Sequence, residues 1–124
     1  MSDITENARE TAKRLNMKII LPQPDELFVD LDTASGLTIL TNRFATLQEQ
    51  WPQATFTKTS SKSPNHYHVI VKIPELAPLD DLTRIALQST LNSDWVREML
   101  AIVRVTKKSE IITCFFEPKE TAKE

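Results

Sequence analysis

The chain lacks several features that define whole classes of proteins. Its 124 residues include a single cysteine, Cys114, so neither an internal disulfide bond nor a cysteine-based zinc cluster can form. Cys114 lies in the apolar run 111–116, where we expect a buried small side chain rather than a nucleophile. No apolar stretch approaches the roughly 20 residues of a membrane-spanning helix, and the polar N-terminus does not resemble a secretory signal. These absences predict a cytoplasmic protein that does not insert into a membrane.

The chain also lacks an excess of charge of either sign. Its 15 basic and 17 acidic residues nearly balance, so the protein as a whole does not strongly attract nucleic acid or an anionic membrane. Binding to a nucleic acid would therefore depend on a local basic patch. The contents of hydrophobic residues, 40%, and charged residues, 26%, are typical of a globular protein, and the length is typical of one domain.

Composition divides the chain into a central domain and two flanking segments. Residues 2–16 carry few large apolar side chains and are expected to form a frayed helix within a peripheral segment, 1–25. Residues 26–117 contain the periodic apolar patterns and are predicted to form an α+β domain. Residues 118–124 are polar and are predicted to form a disordered tail.

Periodicity within the central domain predicts the order βαββαβ, with an extra helix before the last strand. The predicted strands are 26–32, 54–59, 66–73 and 111–116. The predicted helices are 37–51, one capped by Asp80 and one capped by Ser93, although 100–105 could instead be a strand paired with the last one. Trp51 and Trp95 close helical stripes and are expected in the core.

This order resembles the ferredoxin-like, or RRM-like, fold. The expected architecture is a four-stranded, mainly antiparallel sheet with helices on one face. In that arrangement the first and third strands are central neighbours, and the second face of the sheet is open to a ligand or a partner.

Alternation in the first and third strands places four polar side chains together. Successive strand residues point to opposite faces, and the apolar set of each strand must face the helices. Asp30 and Asp32 of the first strand should therefore share the open face with His66 and His68 of the third. Phe28 and Ile70 are expected on the same face, where an aromatic ring can support a base.

Such a group of side chains has a specific chemistry. Two neighbouring carboxylates repel each other unless a cation or a proton relieves the repulsion. Carboxylate oxygens suit Mg²⁺ or Mn²⁺, and imidazole extends the choice to zinc and other transition metals. A metal held there could orient a triphosphate during phosphoryl or nucleotidyl transfer. The alternative is that all four residues are solvated surface side chains.

Two segments resemble motifs of the archaeo-eukaryotic primase superfamily, in its minimal phage or mobile-element form. The run 27–32, Leu-Phe-Val-Asp-Leu-Asp, is similar to its hydrophobic-Asp-hydrophobic-Asp motif. Residues 61–71 are similar to its serine-rich loop leading to a histidine in a strand. Asp94 lies where a third, metal-binding aspartate is expected. Asp94 can equally be explained as a helix first-turn acid.

The resemblance implies a site and a function. Asp30, Asp32 and Asp94 would bind Mg²⁺ or Mn²⁺, with Asp30, Asp32 and His68 catalytic. The residues predicted to contact substrate or phosphate are Ser61, Lys62, Ser63, His66, Lys72 and Arg97. The implied function is binding of a nucleotide or single-stranded nucleic acid, with possible nucleotidyl transfer during replication of a phage or mobile element in the host cytoplasm. A replication protein or host protein is a possible partner.

Two alternatives remain open from the sequence. The chain could be a non-catalytic module that keeps the fold and binds protein or nucleic acid. The run His66-Tyr67-His68 also resembles the histidine motif of rolling-circle Rep and transposase endonucleases. Those enzymes attack DNA with a tyrosine from a separate helix, whereas the single tyrosine here, Tyr67, is expected to face the core.

Overall fold

The computed structural model describes residues 8–60 and 66–118, which form four helices and five strands. The helices are α1 (Ala8–Leu15), α2 (Ala34–Gln50), α3 (Asp81–Thr90) and α4 (Trp95–Thr106). The strands are β1 (Met17–Ile20), β2 (Glu26–Leu31), β3 (Thr55–Ser60), β4 (Tyr67–Lys72) and β5 (Phe115–Pro118). The predicted α+β class is confirmed, and a 3₁₀ turn at Pro74–Leu76 follows β4.

A three-stranded antiparallel sheet lies at the centre of the fold. Strand β4 lies between β2 and β3, and Asp30 is directly opposite His68 in the register. The predicted pairing of the aspartate strand with the histidine strand is therefore confirmed. The structure places β2 at an edge, however, whereas the sequence predicted two central strands.

Helix α2 covers one face of this sheet and builds the main core. Leu40, Phe44 and Leu47, at spacings of four and three residues, pack against the buried residues of β2 and β4. The helix begins at Ala34 rather than at the predicted Leu37, because the Thr33 side chain accepts a hydrogen bond from the Gly36 N–H and caps the first turn.

The last strand does not join the central sheet. Instead, β5 pairs antiparallel with β1, so the described residues form sheets of three and two strands rather than the predicted single sheet of four. The free edge of β2 explains the difference. Its N–H groups at Phe28 and Asp30 donate to the side chains of Gln88 and Ser93, at 2.8 and 3.0 Å. The two side chains therefore accept the hydrogen bonds that β2 would otherwise donate to a fourth strand.

Helix α3 supplies Gln88, and the turn between α3 and α4 supplies Ser93. Asp80 caps α3 as predicted, accepting a hydrogen bond from the Thr83 N–H at 2.7 Å. The helical interpretation of 95–106 is also confirmed, but its cap is Asp94 rather than Ser93. Trp95 was predicted in the core and is instead 69% exposed, whereas Trp51 is half-buried against the core. Cys114 precedes β5 and is half-buried rather than fully buried.

Among the helices of residues 8–60 and 66–118, none has the length and hydropathy needed to cross a bilayer.

Candidate functional site

The pairing of β2 with β4 builds one side of the candidate site. The backbone of Asp30 bonds away from β4, to Ser93 and Asp94, so Asp30 and His68 form a pair without mutual backbone hydrogen bonds. Side chains approach most closely in such pairs. The Asp30 Oδ1 lies 3.8 Å from the His68 Nε2 and 2.6 Å from the Nε2 of His66, which immediately precedes β4.

Asp94 brings a third carboxylate to the same place. Its backbone N–H donates to the Asp30 carbonyl at 2.7 Å, which fixes the start of α4 against the edge of β2. Asp30, Asp32 and Asp94 each offer an oxygen within 4.8 Å of the other two. One oxygen of Asp30 and one nitrogen each of His66 and His68 also lie within 4.8 Å of one another. The structure therefore brings together the four residues that the sequence singled out for metal binding or catalysis, Asp30, Asp32, Asp94 and His68, and adds His66, which was predicted as a substrate contact.

The crowding of carboxylates has an electrostatic consequence at Asp32. Partial burial raises the pKa of the Asp32 carboxyl, and the hydrogen bond with the Asp94 carboxyl and the charges of Asp94 and Asp30 raise it further. His66 acts in the opposite direction. The cluster therefore gains stability from a proton or a cation, as is usual where carboxylates meet.

His68 lies in a drier environment than an exposed strand face would give. Its ring stacks on Phe115, with centroids 4.2 Å apart, and Phe115 also stacks on the fully buried Phe28. Burial is the main cause that lowers the pKa of His68, with the charges of His66 and Arg97 adding to it and those of Asp30 and Glu117 opposing it. The imidazole is thus favoured in its neutral form, which can bind a metal or accept a hydrogen bond.

Phe115 also corrects the prediction of an open sheet face. Phe28 was expected to be available for a base, but it is completely buried beneath Phe115. Ile70, the other residue expected there, is half-buried. The face is therefore covered over Phe28, whereas Lys72 and the β3 residues Thr55, Thr57 and Thr59 on it remain exposed.

Asp30 has an oxygen that the described residues leave without a hydrogen bond. The Oδ1 atom is buried, and although the His66 Nε2 lies 2.6 Å away, no aligned donor reaches it. Buried carboxylate oxygens are normally satisfied, so this atom fits a position that a cation would complete. The donor set of carboxylates and imidazoles fits Mn²⁺ and Mg²⁺ on the oxygen side, and transition metals on the nitrogen side.

The predicted phosphate-binding residues differ in where the structure places them. Arg97 donates to the Phe28 carbonyl, the Ser93 hydroxyl and the Glu98 carboxylate at 2.9, 3.2 and 2.6 Å, so its guanidinium is held by the fold. Lys72 is exposed four residues along β4 from His68, a Cα separation of about 13 Å for an extended strand. The predicted residues Ser61, Lys62 and Ser63 lie outside the described residues.

A cavity that the sequence did not indicate opens beside the cluster. Its volume is about 390 Å³, and it extends from Asp30, His68 and Asp94 between α4 and the segment 111–116. Most of its lining is apolar, and Phe115 forms part of the wall. The sequence predicts a strand over segment 111–116. Its apolar pattern is the same whether the side chains line a cavity or pack in the core.

Tyr67 lies on the face opposite the two histidines. It packs against the main core, and the Lys58 ammonium lies 5.4 Å from its ring centroid. As predicted, the single tyrosine of the chain is therefore not placed to act beside His66 and His68. The endonuclease alternative has no tyrosine nucleophile on this face.

Removing one carboxylate should stabilise the folded protein near neutral pH. Because the folded-state pKa of Asp32 is raised, the folded protein holds more protons than the unfolded chain between about pH 3.9 and that raised value. Stability is lost as the pH rises through this interval. We expect Asp32→Asn to raise the melting temperature at pH 7, with the difference shrinking towards pH 3. An equal shift at both pH values would contradict this electrostatic account.

Comparison of the chain with protein-family models, with curated proteins and with solved structures gives no match.

Proposed function

We propose that this chain is a primase-like domain that binds a nucleotide or a nucleic-acid end through a divalent metal ion. The observation that carries the proposal is the convergence of Asp30, Asp32 and Asp94 with His68 from two strands and a helix start. The possible reaction is nucleotidyl transfer in the replication of a phage or mobile element, in the host-cell cytoplasm.

The three carboxylates would hold the ion, which is Mg²⁺ or Mn²⁺ by the chemistry of oxygen ligands. A divalent ion supplies charge neutralisation and orientation for the phosphates of a bound nucleotide. The ion would relieve the repulsion between the Asp32 and Asp94 carboxylates, which a proton otherwise reduces. It would also coordinate the buried Asp30 oxygen, which has no aligned hydrogen bond.

His68 and the adjacent cavity would position the ligand. The stacking of His68 on Phe115 fixes its ring, and the ring remains 28% exposed at the cluster. Its neutral form can accept a hydrogen bond from a ligand hydroxyl, and its N–H can donate to a phosphate oxygen. The cavity between α4 and segment 111–116 offers apolar contact for a base or sugar. Ser61, Lys62 and Ser63 remain predicted phosphate contacts.

Templated synthesis by this chain alone is expected to be weak or absent. Duplex binding draws on several phosphate contacts by arginine and lysine. Arg97 and Arg104, which line the cavity beside the site, donate to backbone carbonyls of the fold. They therefore contribute little to a basic surface for a template and primer.

Metal-dependent nucleotide binding tests the proposal. We expect dATP to bind the full chain in the presence of MnCl₂, by calorimetry, and the affinity to fall about 10-fold or more in His68→Asn, since a hydrogen bond to a charged group contributes about 1.5–3 kcal/mol. Lys58→Ala, on the opposite face, should bind as the wild type does. Equal binding in EDTA, or equal binding by His68→Asn, would overturn the proposal.

One observation favours a second candidate, a non-catalytic interaction module. Helix α4 exposes Trp95, Met99 and Ile102 on one stripe, and exposed apolar stripes commonly mark protein contacts. If neither dATP nor a short single-stranded oligonucleotide binds with Mn²⁺ or Mg²⁺ present, this candidate replaces the first.

A further inference from the structure

We infer that Asp30, His66 and His68 form a second metal site, for a transition metal such as Zn²⁺, which shares Asp30 with the three-carboxylate site. The inference concerns a different metal and adds two histidine ligands, so it does not depend on nucleotide binding. It gives His66 a role as a metal ligand, whereas the sequence predicted only a substrate contact.

Chain geometry brings the three ligands together. His66 and His68 are two residues apart and point to the same side of β4, and Asp30 faces His68 across the strand pair. The Asp30 Oδ1 lies 2.6 Å from the His66 Nε2 and 3.8 Å from the His68 Nε2. Both imidazoles therefore direct the same nitrogen towards one carboxylate oxygen.

These distances suit a tetrahedral metal after small movements. Zinc binds nitrogen at about 2.0–2.1 Å and carboxylate oxygen at a similar distance, which separates two tetrahedral ligands by about 3.3 Å. The two separations from the Asp30 oxygen lie on either side of that value, and all three ligand atoms lie within 4.8 Å of one another, so modest side-chain movements would place them on one ion. His66 and His68 are 27% and 28% exposed, which leaves a coordination position open to water.

Asp32 lies where a metal-binding histidine usually has an outer contact. A ligating histidine normally directs its second ring nitrogen to a carboxylate or carbonyl, which orients the ring and raises its basicity. The His66 Nδ1 lies 3.7 Å from the Asp32 Oδ1, while its Nε2 faces Asp30. Asp32 would therefore be a positioning residue in this site, although it is a direct ligand in the carboxylate site.

The Oδ1 of Asp30 is buried and makes no aligned hydrogen bond, although the His66 Nε2 lies 2.6 Å away, and this is the second observation that points to a cation here. The nitrogens that face it belong to imidazoles, and a borderline metal such as Zn²⁺ binds imidazole nitrogen more readily than Mg²⁺ does. Because Asp30 contributes to both groups, a zinc ion in the histidine site removes a ligand from the carboxylate site.

Paired variants separate the two sites. Calorimetry of the full chain with ZnSO₄, and absorption spectra with CoCl₂, report on the histidine site, whereas electron paramagnetic resonance with MnCl₂ reports on the carboxylate site. We expect His66→Gln to weaken Zn²⁺ binding about 100-fold or more and to leave Mn²⁺ binding nearly unchanged, by loss of a direct ligand. Asp94→Asn should give the reverse pattern.

The Co²⁺ spectrum identifies the geometry. Intense visible bands of a four-coordinate ion, lost in His66→Gln and retained in Asp94→Asn, would support the inference. Equal Zn²⁺ affinity in wild type and His66→Gln, in protein whose circular dichroism is unchanged, would overturn it. Loss of Mn²⁺ binding in Asp94→Asn beside unchanged Zn²⁺ binding would still leave the carboxylate site of the proposed function supported.

Discussion

Replacing Arg97 by alanine is expected to lower the free energy of unfolding by about 3–5 kcal/mol, the usual cost of removing one partner of a buried ion pair. The Arg97 guanidinium contacts the Glu98 carboxylate at 2.6 Å, and Glu98 is only 2% exposed. The same guanidinium donates to the Phe28 carbonyl on the free edge of β2. The substitution therefore leaves a buried charge without its cation and a strand edge without a donor.

Urea unfolding of wild type and variants measures this effect. Arg104→Ala is the matched control, because the Arg104 guanidinium makes only one long hydrogen bond, 3.4 Å to the Ile112 carbonyl, among the described residues. We expect a loss of about 1 kcal/mol or less for the control. A double variant, Arg97→Met with Glu98→Gln, should recover part of the loss since it removes both charges. Similar stability of Arg97→Ala and wild type would show that Arg97 is free to act as the phosphate contact that the sequence predicted.

Replacing Asp30 by asparagine is expected to weaken both Mn²⁺ and Zn²⁺ binding by about 100-fold or more, since even supporting residues of metal sites contribute 10–100-fold. Asp30 belongs to the carboxylate group and to the histidine group, and it is the residue shared by both. The amide keeps the size of the side chain but removes its negative charge. Calorimetry with MnCl₂ and with ZnSO₄ measures the two affinities separately.

Asp81→Asn is the control for this prediction. Asp81 lies in the first turn of α3 with an exposed side chain, 3.8 Å from Arg84, and is not among the grouped ligands. Its replacement should leave both metal affinities unchanged. If Asp30→Asn reduced only one of the two affinities, the shared role of Asp30 would be wrong, although the site that was affected would stand.

The strand part of the site followed from sequence because its pattern is regular. Side chains alternate with a period of two, so one residue of error would have moved Asp30 and His68 to opposite faces. The apolar residues of β2 and β4 fixed both alternations against the same core, and the structure has Asp30 opposite His68. The metal roles of these residues remain predictions.

The sequence did not predict how the edge of β2 is covered, because polar side chains cover it. Gln88, Ser93 and Arg97, from α3, α4 and the turn between them, bind the edge of β2 from about 60–70 residues further along the chain. Polar side chains carry no periodic signal for such contacts, and a pattern of apolar residues therefore predicted a fourth strand at that edge. The sequence also did not predict that Phe115 stacks on Phe28 and His68, because these partners are distant from it in the chain.

Helix α4 buries a charged residue and exposes large apolar ones, because a polar network holds the charged residue inside the fold. Its buried positions are Glu98 and Ala101, while Trp95 and Met99 are exposed. Glu98 accepts hydrogen bonds from Gln88, Ser93 and Arg97, which satisfies its charge inside the fold. A carboxylate is rarely predicted to face inward, and Trp95 was predicted to lie in the core instead.

The location of a bound manganese ion is the most direct test of the proposed site. Crystals of the full chain soaked in MnCl₂ and measured at the manganese absorption edge would show the ion by its anomalous scattering. The account predicts a peak within about 2.0–2.6 Å of carboxylate oxygens of Asp30, Asp32 and Asp94, the range for hard cations bound by oxygen. Manganese bound elsewhere, with these three carboxylates free of metal, would contradict it.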